Sequence, residues 1–237
     1  MIEDGAIAEY GSHETVSGGS ATTPSVTLGP FADLPDAQRD ALLARAVRRR
    51  FLAGQSVFRA GEPADHVIVV QSGLVSVQVA AADGRRLILA IFGEEDVLGE
   101  MALAGVPRRT AWVVAVRDAD VLMLDAHRLH DLRSATREVD AAVMGVLADT
   151  VRRLTAQLLE ATLISQPVRL RRILLRLHRH YDDGRIALTH ADLADVLGAQ
   201  RTTVTELLTA EVAAGRIVKA RGYLQIVDLP AMRAAAR

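Results

Sequence analysis

The sequence predicts an α+β fold: an antiparallel β-roll, then one long helix, then a small helical unit ending in a β-hairpin. Three observations carry that prediction. Short apolar runs separated by turn residues fill the stretch from Arg48 to Asp125, a long helical apolar period begins near Arg137, and two short helical segments flank Gly198. A length of 237 residues suits two domains of ordinary size and a connector. The expected division is a disordered tail over 1–27, the roll over 28–137, a connecting helix and hinge over 138–166, and the helical unit over 167–237.

Residues 1–27 are rich in Gly, Ser, Thr and Ala, include Ser17-Gly18-Gly19-Ser20, and have no apolar period, as a disordered tail requires. The run Leu34-Pro35-Asp36 signals a short helix with Leu42, Leu43 and Val47 on one stripe, ending before Phe51. After it come Gly54, Gly61-Glu62-Pro63, Ser72-Gly73, Asp83-Gly84, Gly93, Gly99 and Gly105-Val106-Pro107, a spacing that predicts many short strands. Asp83-Gly84 between Leu74–Val79 and Leu87–Phe92 predicts a hairpin, because a type I′ turn needs positive φ at both central residues.

Met144, Leu147, Val151, Leu154, Leu158 and Ala161 alternate spacings of three and four, the heptad seam of a two-stranded coiled coil and hence of a homodimer. A helix packed on its own domain shows the same stripe. Gln166-Pro167 interrupts the period, since proline has no amide donor and biases the preceding residue away from helix, and a hinge is expected there. Leu170, Ile173, Leu174 and Leu177 then form one face of a new helix that stops near Asp182-Asp183-Gly184.

Thr189, with Asp192 three residues on, is an N-cap for a short helix carrying Leu193, Ala194 and Leu197. Gly198 breaks it, and a second helix runs from near Gln200 through Val204, Leu207 and Leu208 to about Ala213. Gly215, Ile217-Val218, Gly222 and Leu224–Val227 supply two strands about a turn, so the whole reads as a winged helix-turn-helix.

Charge adds little by itself. Residues 152–237 carry a formal +6 and residues 1–151 carry −7, which suits attraction to phosphate backbones and equally suits scattered solvated arginines. The chain has no cysteine, which excludes disulfides, thiol switches and Cys-ligated metal or iron–sulfur sites. No stretch is long and apolar enough for a bilayer, and the N-terminal residues Glu3, Asp4 and Glu9 lack the basic start of a secretory signal; no membrane partner and a cytoplasmic address are expected. No HExxH, Gly-x-Ser-x-Gly or P-loop spacing occurs, and His178 and His180 face different sides of a helix. No catalytic residue, metal or cofactor is expected.

The run Leu188-Thr189-His190-Ala191-Asp192-Leu193-Ala194-Asp195-Val196-Leu197-Gly198-Ala199-Gln200-Arg201-Thr202-Thr203-Val204 resembles the Crp/Fnr family of transcription regulators. The resemblance implies that the second helix enters the major groove of a palindromic operator, read by a homodimer. Arg201 would pair with guanine O6 and N7, with Gln200, Thr202 and Thr203 at neighbouring bases or phosphates and Thr189 also at the DNA. Thr202 and Glu206 depart from the family's best-known activators, so a different half-site is expected. RNA polymerase is a further expected partner.

The segment Gly99-Glu100-Met101-Ala102-Leu103-Ala104-Gly105-Val106-Pro107-Arg108-Arg109-Thr110-Ala111 resembles the phosphate-binding cassette of the family's cyclic-nucleotide-binding domain. By that resemblance Arg109 is the phosphate cation, Thr110 a hydroxyl donor and Glu100 the acceptor for the ribose 2′-hydroxyl, while Gly99 and Ala111 keep the backbone close to the ligand. A structural turn with Glu100 paired to Arg109 is the alternative. The family's adenine-reading Thr and Ser fall at Gln157 and Leu158; Leu158 makes no such bond, and the Gln157 amide suits adenine, guanine or neither. Arg153, one turn before Gln157, is expected to pair with Glu100. The leading effector is cAMP. The alternatives are another cyclic nucleotide such as a cyclic dinucleotide, an empty pocket on a constitutive DNA binder, and a nucleotide-sensing subunit that docks a protein partner.

Overall fold

A computed structural model describes residues 26–80, 86–181 and 183–237. The expected tail, up to residue 25, and the Asp83-Gly84 turn lie outside the described residues. The elements run α1 (Asp36–Leu43), β1 (Val47–Phe51), β2 (Ser56–Phe58), β3 (His66–Ala80), β4 (Arg86–Phe92), β5 (Val97–Leu98), β6 (Trp112–Asp125), α2 (Ala126–Ala135), α3 (Arg137–Leu163), α4 (Gln166–His178), β7 (Arg185–Ile186), α5 (His190–Leu197), α6 (Arg201–Ala213), β8 (Ile217–Ala220), β9 (Tyr223–Ile226) and α7 (Leu229–Ala235).

The roll is one antiparallel sheet in the order β1-β6-β3-β4, with β2 paired to β6 and β5 to β3. Its spine is the β3–β6 pair, whose register slips between Val70 and Val75. Long strands bend where an extra residue breaks the ladder. Gly73 sits in that irregularity at φ +83°, and a Cβ on it would lie 2.0 Å from the Asp118 carbonyl oxygen. Val67, Ile68, Val69 and Val70 are all buried, because the curled sheet is covered on both faces. The β3–β4 hairpin that the sequence predicts pairs Val75 with Phe92 through Ala80 with Arg86, with an irregularity between Val77 and Gln78.

The first helix ends sooner than expected. Its cap is Ala44, and Val47, expected on the helical stripe, instead opens β1 opposite Met123, 47% exposed. A β-branched residue beside a run of arginines fits an extended edge better than a fourth turn of helix.

α3 divides its faces. Val139, Val143 and Val146 are buried in a cluster with Phe31, Leu103, Leu124 and Leu129 of the roll, and Leu147 packs against the same cluster. The helix ends at Leu163; Ile164 and Ser165 are extended, and Pro167 falls inside the first turn of α4. The break therefore lies just upstream of Gln166-Pro167, since a proline in a first turn costs no hydrogen bond.

In the C-terminal unit Thr189 accepts from the Asp192 amide while the Asp192 carboxylate accepts from that of Thr189, a capping box at α5. Gly198 ends α5 at φ +66°, and Leu193, Ala194, Leu197, Val204 and Leu208 share one core. The wing is β8 and β9 with β7 as a third strand, and α7 closes the unit against α4; β7 and α7 went unseen in the sequence because each is under two turns or three residues of local signal. No helix among the described residues is long and apolar enough to cross a membrane.

Gly73→Ala is expected to destabilise the roll by several kcal/mol, about 3 or more, whereas Gly222→Ala, at φ +89° with open surroundings, costs only about 1–2 kcal/mol. Urea unfolding of the two variants checks this; equal midpoints contradict it.

Candidate ligand cavity and nucleic-acid interface

A cavity of about 380 Å³ lies between the turn that follows β5, strands β3, β4 and β6, and the middle of α3. Gly99 at φ +81° leads into a tight 3-10 turn over Glu100–Ala104, which presents Glu100 to the cavity. Phe58, Val77, Leu89, Phe92 and Val113 give it an apolar wall, and Arg108, Arg109 and Thr110 a polar end beside Ala111. Every cassette residue singled out in the sequence lines this one space.

Arg109 is its most unusual group. The side chain is only 4% exposed, yet Nε and Nη1 have no hydrogen-bond partner. Its nearest carboxylate is Asp65, 3.9 Å from Nη2, and its guanidinium lies 4.1 Å from the centre of the Phe58 ring. Burial pulls the guanidinium pKa down, and the charges of Asp65, Glu62 and Glu100 pull it back up without fully offsetting burial. Gly99 makes room for it: a Cβ at that position would lie 2.6 Å from Nη1. Backbone bonds from Arg109 to Glu62 and from Gly61 to Arg109 fix where the side chain starts. A desolvated cation with free donors, set in a cavity, has the chemistry that suits an anion.

α3 supplies Thr150, Arg153, Leu154 and Gln157 to the cavity, one face at helical spacing. Arg153 departs from expectation. It pairs with Asp96, Nη1 to Oδ1 at 3.0 Å, and lies 5.0 Å from the centre of the Phe92 ring, rather than pairing with Glu100. Asp96 sits in the turn before β5, close to Arg153 in space and invisible to a reading confined to the cassette motif. Thr150 also went unsingled, although its spacing from Arg153 and Gln157 is a usable signal.

The seam residues Met144, Val151, Leu154 and Leu158 are 51%, 63%, 52% and 64% exposed, and Ala161 is exposed as well. Such a row of large apolar side chains in water is what a partner helix covers. Leu147 alone of the set leans on its own roll.

In the C-terminal unit, α6 turns Arg201 and Thr202 to solvent with Gln200 at its cap, whereas Thr203 is half-buried. The outward face continues through Thr205, Glu206 and Thr209, positions that recur at helical spacing from Arg201. Thr205 and Thr209 bond to the carbonyls of Arg201 and Thr205, and the His190 ring lies 3.0 Å from Thr205 Oγ1. Burial, then the charges of Lys219 and Arg201, lower the His190 pKa, so the imidazole stays neutral near pH 7 beside a basic edge. Glu211 holds α6 from behind: it is 2% exposed and accepts from Arg171 at 2.8 Å and Arg216 at 2.5 Å.

A family model described as the cyclic nucleotide-binding domain matches residues 48–136, and one described as the Crp-like helix-turn-helix domain matches residues 168–235. The chain belongs to the Crp/Fnr family. Relatives within it include the CRP-like cAMP-activated global transcriptional regulator of Mycobacterium tuberculosis, 28% identical over 67% of this chain and 74% of that one. The cAMP-activated global transcriptional regulator Vfr of Pseudomonas aeruginosa is 25% identical over 79% of this chain and 92% of its own. Among solved structures, the c-di-GMP responsive global regulator CLP of Xanthomonas campestris shares the fold at a TM-score of 0.68, with 22% identity over 82% of this chain and all of that one. As a Crp/Fnr member the chain is a transcription regulator with a cyclic nucleotide-binding domain and a DNA-binding helix-turn-helix.

Burial alone would raise the Glu211 carboxyl pKa, but the bonds from Arg216 and Arg171 outweigh it and the net is a lowered value. Stability from this group is therefore complete above the ordinary carboxyl range and is lost as pH falls through the lowered folded value. Glu211→Gln is expected to cost the C-terminal unit about 3 kcal/mol at pH 7 and to flatten its acid-side decline. Thermal melts from pH 7 to pH 3 check both; an unchanged acid limb contradicts the assignment.

Proposed function

We propose that the chain is a homodimeric transcription factor whose binding to a palindromic operator responds to a cyclic nucleotide in the cavity, with cAMP the leading effector. The buried Arg109, with two donors free, is the observation that carries this reading. A cyclic phosphodiester supplies one negative charge and acceptor oxygens at that point. Thr110 adds a hydroxyl donor to the phosphate, Glu100 accepts from the ribose 2′-hydroxyl, and Gly99 and Ala111 keep the backbone thin beneath the sugar. Leu89, Phe92 and Val113 offer an apolar surface to the base, and the Gln157 amide is the nearby group with donor and acceptor for its edge. A volume of 380 Å³ falls within the range of small-ligand pockets.

The exposed seam supports dimerisation through paired α3 helices, with Met144, Val151, Leu154, Leu158 and Ala161 buried between them and Leu147 at their margin. Two copies of α6 then address two half-sites, with Arg201 reading guanine, Thr202 and Gln200 at its flanks, Thr203 and Thr189 nearer the phosphates, and RNA polymerase as the further partner. This role is regulatory and cytoplasmic, with no catalytic step. A cyclic dinucleotide is a second reading. A cleft of about 810 Å³ between the roll, α3, α4 and α5 shares Leu89, Phe92, Arg153 and Gln157 with the cavity, room that a mononucleotide does not need.

Titration calorimetry with cAMP, cGMP and c-di-GMP tests the effector. The account expects cAMP to bind and Arg109→Gln to weaken it about 100-fold, roughly 3 kcal/mol; no heat from any of the three with the unaltered protein sinks the reading. For the DNA contact, Arg201→Ala is expected to lose about 1–3 kcal/mol of discrimination at one guanine per half-site. Binding-site selection with that variant returning an unchanged consensus rules the assignment out.

A further inference from the structure

The two halves of the chain meet at a surface that neither the cavity nor the DNA-reading face uses. Leu74 of β3, Ile91 of β4 and Val116 of β6 belong to the apolar cluster of the C-terminal unit, together with Leu177 and Tyr181. Arg117 donates to the His180 carbonyl, and its guanidinium lies 4.8 Å from the centre of the Tyr181 ring. The His180 imidazole rests on Gly93 so closely that a Cβ there would lie 2.6 Å from Nδ1. α5 packs against β4 beside this point.

The seat for His180 is the turn Gly93–Asp96, and one carboxylate holds it. Asp96 Oδ2 accepts from the Gly93 amide at 2.9 Å, and the Asp96 amide donates back to the Gly93 carbonyl at 3.1 Å. Between them Glu95 is held at φ +69°, a conformation that a side chain adopts only under constraint. The second oxygen of Asp96, Oδ1, accepts from Arg153 at 3.0 Å, and Arg153 lines the cavity. A single carboxylate thus has one oxygen on the seat of the DNA-binding unit and the other on a cation at the ligand.

We propose that Asp96 is the positioning residue that couples the cavity to the docking of the DNA-binding unit on the roll. With Arg153 paired to Asp96 the turn is firm and His180 is seated. A phosphate in the cavity competes for the same guanidinium, draws it from Asp96, loosens the turn and frees the unit from Leu74, Ile91 and Val116. The ligand favours the freed state because only there does it gain Arg153 as a second cation beside Arg109. The ligand arm of this inference rests on the cyclic-nucleotide reading above; the seat itself rests on Asp96, Gly93 and His180 alone.

Hydrogen exchange on the full-length protein, read in peptides covering 176–187 and 91–97, tests it. Asp96→Asn keeps the side-chain size and removes the charge that holds Arg153; without ligand it is expected to speed exchange in 176–187 about tenfold, with β3 and β6 still protected. Gly93→Ala, which crowds His180 directly and stands outside the cavity, is expected to do the same and, because the ligand favours the freed state, to bind cAMP more tightly than the unaltered protein. Saturating cAMP on the unaltered protein is expected to reproduce the pattern. Protection of 176–187 that persists in both variants overturns the proposal, as does cAMP that binds with measurable heat and leaves 176–187 unchanged. Should no cyclic nucleotide bind, the effector reading fails, and the two ligand-free variants still decide whether Asp96 holds the seat.

Discussion

A guanidinium that is almost wholly buried, with two of its three nitrogens unbonded, is the constraint on which the rest of the roll depends. Removing a cation from water costs several kcal/mol even after relaxation. Here the Phe58 ring at 4.1 Å and Asp65 at 3.9 Å offset part of that cost and leave Nε and Nη1 without acceptors. Burial raises the Asp65 pKa, but its bond to His66, the His66 charge and the Arg109 charge outweigh burial, so the counter-charge persists. In the proposed function, an anion bound there would recover part of that cost. The glycine at position 99, the tight turn carrying Glu100 and the backbone bonds at residues 61–62 all serve to hold that one side chain against that one space.

The second organising feature is the way α3 serves three neighbours at once. Val139, Val143 and Val146 face the roll, Thr150, Arg153 and Gln157 face the cavity, and Val151, Leu154 and Leu158 face solvent. A period of 3.6 residues makes this division possible, since each stripe drifts slowly around the helix. Leu154 lies on two of the three stripes, at the cavity and on the seam. In the proposed dimer, a rearrangement of the paired helices would therefore reach the cavity through Leu154.

What was legible in the sequence had local causes. The Thr189–Asp192 capping box, the glycine turn between α5 and α6 and the cassette from Gly99 to Ala111 are each written within a few consecutive residues, and all fall where the motifs place them. The heptad stripe was legible as a pattern, and its two readings divide between residues: Leu147 packs on the roll, while Met144, Val151, Leu154, Leu158 and Ala161 are exposed. Illegible features depend on distant partners. The pairing of Arg153 with Asp96 spans 57 residues, that of Arg117 with His180 spans 63, and nothing near either arginine announces its acceptor. Val47 left its expected helix for the same reason, because β1 exists through its pairing with β6.

The central claim is that an anion in the cavity sets how well the distant α6 helices bind DNA. Operator binding measured across a salt series, with and without saturating cAMP, addresses it most directly, since the salt slope reports phosphate contacts and the offset reports coupling. The account predicts a higher affinity with cAMP at every salt concentration, an offset that vanishes in Arg109→Gln while the slope is retained. Identical operator affinity with and without the nucleotide, in a protein shown to bind it, would contradict the claim.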